Sequence, residues 1–294
     1  MSAVSANAPR RELVASFMKS RIALVALVLL GIVVLAAVFA PVIAPQNPYN
    51  LAELDILDSK LAPGAKSIEG KTFWLGTDDQ GRDILSGILY GLRISLGVGV
   101  ISTVLALSIG LFIGLAAGYA GGWLDALIMR IVDLQLSFPS ILIALVLLAV
   151  LGQGVDKIVI ALVTVQWAYY ARTVRSSAMV EKRKEYVDAA RVLAYSNWRI
   201  LYRHILPNCL PPLIVVATVQ VAHAIALEAT LSFLGLGMPI TSPSLGLLIA
   251  NGYAHLLSGR YWISFFPGVA LLVTIVVINL VGDQLRDVLN PRLH

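Results

Sequence analysis

Residues 22–44 read IALVALVLLGIVVLAAVFAPVIA, an apolar run that directly follows the basic residues Arg10, Arg11, Lys19 and Arg21. As a helix rising 1.5 Å per residue it reaches roughly 34 Å, enough to cross the hydrocarbon core of a bilayer. It is well beyond the roughly 7–15 apolar residues of a signal-peptide core, so it is expected to be retained as an anchor. Similar stretches follow near residues 88–117, 124–151, 158–178, 213–236 and 262–281. Each is long enough to span. Backbone groups in lipid must be satisfied internally, and the alternation of a barrel is absent. The expected fold is therefore an all-α, polytopic membrane protein with about six transmembrane helices. Pro139, inside Ser137-Phe138-Pro139-Ser140, should kink the third span.

Composition agrees with that reading. Of 294 residues, 58% are hydrophobic and 13% charged, and the mean hydropathy is +0.84. A soluble domain needs more polar surface to cover one core. The net charge of +5 is modest and its basic residues do not cluster on one face, which argues against nucleic acid as a partner. Their placement instead fixes orientation. With the N-terminus inside, the inner segments hold Arg10, Arg11, Lys19, Arg21, Arg172, Arg175, Lys182, Arg183, Lys184, Arg191, Arg199, Arg203, Arg286 and Arg292. The outer ones hold only Lys60, Lys66, Lys71, Arg82, Lys157 and Arg260. Both termini are expected in the cytoplasm. The layout is then a tail at 1–21, a first span at 22–44, an outer loop at 45–87, a core of about five helices at 88–284 with an inner loop at 181–207, and a tail at 285–294.

The sequence holds little that points to chemistry. Cys209 is the single cysteine, and His204, His223, His255 and His294 are scattered, so neither a disulfide nor a metal site is expected. No catalytic cluster appears. The stretch from Gly64 to Thr72 mimics a phosphate-binding loop but has the wrong spacing and lies in the outer loop. Ser102, Ala106, Gly110, Gly114 and Gly118 form a stripe of small residues on the second span, suited to close packing against a helix of this chain or of a second subunit. Asp83 and Arg82 sit where they could cap that span's entry, and Trp123, Tyr261 and Trp262 fit an interfacial aromatic belt.

Two regions carry functional expectations. The inner loop reads EKRKEYVDAARVLAYSNWRILYRHILPNCLPP from Glu181 to Pro212. Val187, Ala190, Ala194 and Trp198 recur at helical spacing, Lys184, Asp188, Arg191 and Tyr195 lie on another face, and Ser196-Asn197 is an expected break. Such a helix suits an anionic lipid surface, a protein partner or ordinary solvated packing. In the fifth span, His223 and Glu228 are ionisable groups at membrane depth. Glu228 fits either a hydrogen bond between helices or a pathway group meeting a solute's ammonium.

The order Asp188-Ala189-Ala190, Ala194, His204-Ile205-Leu206-Pro207 resembles the EAA motif of permease subunits of bacterial ABC importers, which runs Glu-Ala-Ala, three residues, Gly, nine residues, Ile, any residue, Leu-Pro. Asp188 keeps the charge of the usual Glu on a shorter arm. Ala194 replaces the Gly and disfavours a turn needing positive φ. His204 stands in place of Ile. Leu75-Gly76-Thr77-Asp78, Gly81-Arg82-Asp83, Tyr90-Gly91-Leu92-Arg93, Leu136-Ser137-Phe138-Pro139, the run from Glu228 to Gly237 and the run from Gly282 to Asp287 further resemble the C-type subunit of the dipeptide/oligopeptide (peptide/nickel) group. The resemblance implies the type I ABC importer permease fold, in the bacterial inner membrane. It further implies a non-enzymatic subunit that pairs with a second permease, two ATPase subunits holding ATP and magnesium, and an extracytoplasmic binding protein. Asp188, Ala189, Ala190, Arg191, Ala194, His204, Leu206 and Pro207 would then form the loop that couples to the ATPase, and Glu228 and His223 would be candidates for the pathway. No cofactor or metal is implied for this chain. The rival is a secondary transporter or channel working alone, which predicts paired broken helices with intramembrane charges. Peptides and nickel complexes are both open as solutes.

Overall fold

The computed structural model describes residues 17–50, 54–67, 70–239, 241–242 and 244–289. The expected tail at 1–21 lies almost wholly outside these residues, as does the end of the tail at 285–294. The first helix, α1 (Arg21–Val38), is N-capped by Ser20, whose hydroxyl accepts from the Ala23 N–H. It does not run on to residue 44. The helix breaks at Phe39 and resumes as α2 (Ala40–Ile43). The reason is Pro41, which has no N–H and crowds the carbonyl of Ala37.

The outer segment folds into irregular but hydrogen-bonded structure. Thr77 is wholly buried, its hydroxyl donating to the Asp58 carbonyl at 2.5 Å and accepting from the Leu61 N–H at 2.7 Å. In the stretch that mimics a phosphate loop, the Ser67 N–H donates to the Lys71 carbonyl at 2.8 Å, and no helix follows directly among the described residues. Trp262 closes this segment onto the bundle. It is 9% exposed and its indole donates to the Thr77 carbonyl at 3.3 Å, so it is a packing residue and not part of an aromatic belt. Trp123 and Tyr261 remain exposed.

Asp83 N-caps α3 (Ile84–Ala120) by accepting from both the N–H and the hydroxyl of Ser86. The N-cap is Asp83 and not Arg82, which is buried at 2% exposure. The third apolar stretch is two helices, α4 (Gly122–Ser137) and α5 (Ser140–Leu151), bent by 89°. Phe138 and Pro139 are extended there, because a proline forces its predecessor out of the helical region. The expected kink is thus a right-angled elbow. After α6 (Val155–Glu181) come two short helices, α7 (Glu185–Val192) and α8 (Asn197–Ile200). A π-helical turn over Leu201–Ile205 then leads into α9 (Leu206–Phe233). A further helix not anticipated from hydropathy, α10 (Leu245–Tyr253), precedes α11 (Trp262–Leu289).

Among the described residues, α1, α3, α9 with its leading turns, and α11 are long and apolar enough to cross a membrane, and the α4–α5 pair adds another crossing if counted as one span. The polar α6 falls outside that standard, but at 1.5 Å per residue its 27 residues reach about 40 Å. It owes its low hydropathy to groups with protein partners, among them Gln166, Arg172 and Arg175. The small-residue stripe of α3 faces α6 within this chain. A Cβ at Gly110 would stand 2.5 Å from the Tyr170 Cβ, and one at Gly114 would stand 2.5 Å from the Ala171 carbonyl oxygen. Two backbones therefore touch where any larger side chain would hold them apart.

Candidate functional site: the helical loop and the buried carboxylate

The loop at 181–207 begins with local propensity and ends in tertiary anchoring. α7 has Glu185 and Asp188 in its first turn and Arg191 in its last, the arrangement its dipole favours. Val187 and Ala190 are buried and pack with Ile200, Ile205, Cys209 and Leu213. The helix ends in a Schellman motif: the Tyr195 N–H donates to the Ala190 carbonyl at 3.1 Å, and the Ala194 N–H donates to the Arg191 carbonyl at 2.9 Å. That motif needs a left-handed residue, and Ala194 fills it at φ 54°. An alanine therefore adopts the conformation that the family's glycine takes without cost.

The loop is held to the bundle at both ends. Lys182 donates to the Tyr119 carbonyl at the end of α3, and the Tyr119 hydroxyl donates to Asn197 Oδ1 at 2.6 Å. Glu181, nearly buried, accepts from Lys184 Nζ at 2.6 Å and from the Tyr186 hydroxyl. Burial, with Glu181 as acceptor, pushes the Tyr186 phenol up to about 12, so it stays a donor at neutral pH. His204 stacks on Tyr195 at 6.0 Å between ring centroids, and its Nε2 is buried without a partner among the described residues. Leu206 is half-buried and Pro207 exposed at the start of α9.

The outward side carries the other residues of the motif. Asp188 and Ala189 are exposed, and Asp188 pairs with Arg191 at 2.8 Å. Around them stand large apolar groups in the open: Val192 at 86%, Leu193 at 63% and Trp198 at 68% exposure, with Trp198 stacked on Tyr202 at 5.4 Å. Arg199 lies 4.1 Å over the Tyr195 ring. This patch departs from the helical spacing read from the sequence. That spacing groups Trp198 with buried Val187 and Ala190, but the turn at Ala194 resets the phase and sends it outward. The signal for the patch was present in Val192-Leu193, two apolar residues beside the motif that the buried face of α7 cannot use.

Glu228 and His223 occupy different environments. Glu228 is 0% exposed. Its Oε2 accepts from the Ser95 hydroxyl and its Oε1 from the Ser232 hydroxyl, both at 2.8 Å, and the Ser244 hydroxyl also bonds to it. Ser95 is on α3, Ser232 on α9 and Ser244 is the N-cap of α10. The carboxyl group thus joins three elements and is enclosed by its own chain, which favours the hydrogen-bonded reading over the pathway one. His223 is exposed on the surface of α9. The two are not brought together. No group of three or more histidine, cysteine, aspartate or glutamate residues suited to a metal occurs among the described residues.

Comparison with known proteins places this geometry. Residues 110–294 match the model of the binding-protein-dependent transport system inner membrane component family, and residues 9–63 match that of the N-terminal TM domain of oligopeptide transport permease C. The dipeptide transport system permease protein DppC of Escherichia coli K12 is 43% identical over 97% of this chain and 94% of its own length. A putative peptide transport system permease protein of Brucella suis is 43% identical over 94% of this chain and 90% of its length. The di/tripeptide transport system permease protein DppC of Pseudomonas aeruginosa is 37% identical, over 97% and 93%. Among solved structures, a chain from inward-facing conformations of the MetNI methionine ABC transporter superposes with a TM-score of 0.56 at 19% identity, covering 69% of this chain and 96% of that one. At that identity the likeness speaks for the fold alone, the type I ABC importer permease fold.

Proposed function

The chain belongs to the binding-protein-dependent transport system inner membrane component family, the multi-pass membrane component of ABC importers, and from that membership we propose that it is one permease half of an importer of di- and oligopeptides. The peptide assignment rests on the names of relatives that share nearly the full length of the chain. ATP and magnesium bind and react in two separate ATPase subunits. A second permease completes the pathway, an extracytoplasmic binding protein delivers the solute, and both termini lie in the cytoplasm. A carrier or channel working alone is not favoured, because the family serves binding-protein-dependent systems.

The observation that carries the coupling role is the exposed patch of Val192, Leu193 and Trp198 on a loop fastened at both ends to the bundle. A rigid, partly apolar projection is what a lever needs: a surface to be gripped and a linkage that transmits displacement. Asp188, Arg191 and Arg199 border it and supply charge-assisted contacts. Asp188, Ala189 and Arg191 would contact the ATPase, while Ala190, Ala194, His204, Leu206 and Pro207 would set the shape of the loop.

The test is the assembled complex with its binding protein in proteoliposomes, carrying Leu193→Asp together with Trp198→Asp. Binding-protein-stimulated ATP hydrolysis should be lost while the subunits still co-purify. Unaltered stimulation would overturn the coupling role. Ala190→Trp is unsuitable for this purpose, because Ala190 is 3% exposed and the larger ring would disrupt the packing beneath the patch.

A further inference from the structure

Several grooves run along the surface of the bundle, and one of them combines size with polar walls. The groove between α3, α4 and α6, lined by Phe112, Ile128 and Ile131, and the groove between α1 and α11, lined by Val25, Leu29 and Val276, are walled by carbon apart from Arg21 at one end. Such surfaces suit acyl chains. A third, of about 1180 Å³, lies between the halves of α6, α9 and α11 nearest the loop at 181–207. Tyr169, Thr173, Ser176 and Ser177 form one wall. They fall on a single stripe of α6, at spacings of three, four and seven to eight residues.

The opposite wall is α9. Gln220 lines it at 7% exposure, and among the described residues its amide nitrogen has no partner. A buried, unpartnered amide costs stability, of the order of 1–3 kcal/mol, and in a native fold asks for a ligand. Pro211 and Pro212 lie on the same wall inside the helix. Lacking N–H groups, they leave the carbonyls of Pro207 and Asn208 without their usual helical donors.

The directions of the hydrogen bonds define what fits. Thr173 donates its hydroxyl proton to the Tyr169 carbonyl at 2.9 Å, and Ser176 donates to the Arg172 carbonyl at 2.9 Å. Their free lone pairs therefore present acceptors on α6. On α9 the Gln220 amide presents a donor, beside the carbonyls freed by Pro211 and Pro212. Acceptors and a donor facing one groove match the N–H and C=O groups of a peptide backbone. The ring of charge lies only at the mouth, where Glu181 and Asp283 stand with Lys184 and Arg286. Between the walls nothing selects a side-chain charge.

We propose that this groove is the chain's share of the passage on the loop side of the membrane, and that it holds the solute through backbone amides using the Thr173 and Ser176 hydroxyls and the Gln220 amide. The proposal rests on the peptide-importer reading above. His223 lies one turn beyond Val219 on α9, outside the residues that line the groove.

The test uses the assembled complex in proteoliposomes on a Cys209→Ala background. Single cysteines are placed at Thr173, Ser177 and Val219, and at Ile128 and Val276 as controls. A charged, membrane-impermeant thiol reagent should label the groove positions from the loop side faster than the controls, and added dipeptide should slow that labelling. Separately, Gln220→Leu should lower the apparent affinity for import about fivefold, the worth of one hydrogen bond, equally for acidic, basic and neutral dipeptides. Equal labelling of groove and control positions in a complex that imports peptides would overturn the groove assignment. Preferential labelling without protection by dipeptide, or a Gln220→Leu effect confined to one side-chain class, would overturn backbone recognition. Failure of the wild-type complex to import any peptide would instead overturn the peptide-importer reading itself.

Discussion

The hydroxyl of Ser95 donates to Oε2 of Glu228 at 2.8 Å, joining α3 to α9 across 133 positions of sequence. Ser232 and Ser244 complete the shell, so the carboxyl group is an acceptor shared by three elements. Glu228→Gln keeps one amide oxygen for the serines and should preserve assembly. Glu228→Leu leaves the hydroxyls buried without their acceptor, at about 1–3 kcal/mol for each group stranded. The fraction of purified complex that survives heating should therefore fall sharply for leucine and little for glutamine. Equal loss in both variants would remove the hydrogen-bond explanation.

Ala194 closes α7 at φ 54°. For a residue with a Cβ this costs roughly 1–2 kcal/mol, which glycine avoids. Ala194→Gly should raise the melting temperature of the complex, and Ala194→Val should lower it below wild type. The glycine variant should couple ATP hydrolysis to import at least as well as wild type, since it keeps the same turn.

Much of this was legible in the residues and some was not, for reasons of range. The cap at Asp83 depends on neighbours three positions away and was readable. So was the small-residue stripe, although its partner, the Tyr170–Ala171 region of α6, is set only by tertiary packing. The break at Phe39 was a proline effect hidden inside an apolar run. Trp262 illustrates the limit. Its apolar ring and position by a helix start fit a lipid interface, and only the folding back of Thr77, 185 residues away, turns it inward. Helical phase failed for Trp198 because one left-handed residue resets it.

Asp78 is 1% exposed in the outer segment, with Oδ1 accepting from the Gln80 and Arg82 N–H groups and Oδ2 without a partner among the described residues. Burial pushes its carboxyl up to about 6. Burial raises Asp83 as well. A raised folded-state value means that the folded segment binds the proton more tightly than the unfolded one. The associated stability is present below the ordinary value of 3.8 and is lost as pH rises through about 6. Protease cleavage of the outer segment should therefore be faster at about pH 7 than at about pH 4.5, measured with an enzyme active at both. Asp78→Asn should flatten the difference, and an unchanged profile in that variant would dissociate the effect from Asp78.

Arg175 grips Asp125 with two bonds, Nε to Oδ1 at 2.7 Å and Nη2 to Oδ2 at 2.6 Å, and so holds the start of α4 against α6. The side chains are 29% and 15% exposed, so water screens the pair only in part. Arg175→Lys keeps the charge but loses the fork, and should weaken assembly less than Arg175→Ala does. The swap of Asp125→Arg with Arg175→Asp should recover part of the loss that either change causes alone. Recovery should be incomplete, because Asp125 sits in the first turn of α4, where the helix dipole favours an acid and opposes an arginine. A double-mutant cycle on the thermal stability of the complex should give a coupling of about 1–3 kcal/mol, the range for a hydrogen-bonded, partly desolvated pair. Strict additivity would mean that the start of α4 is held against α6 by apolar contacts alone.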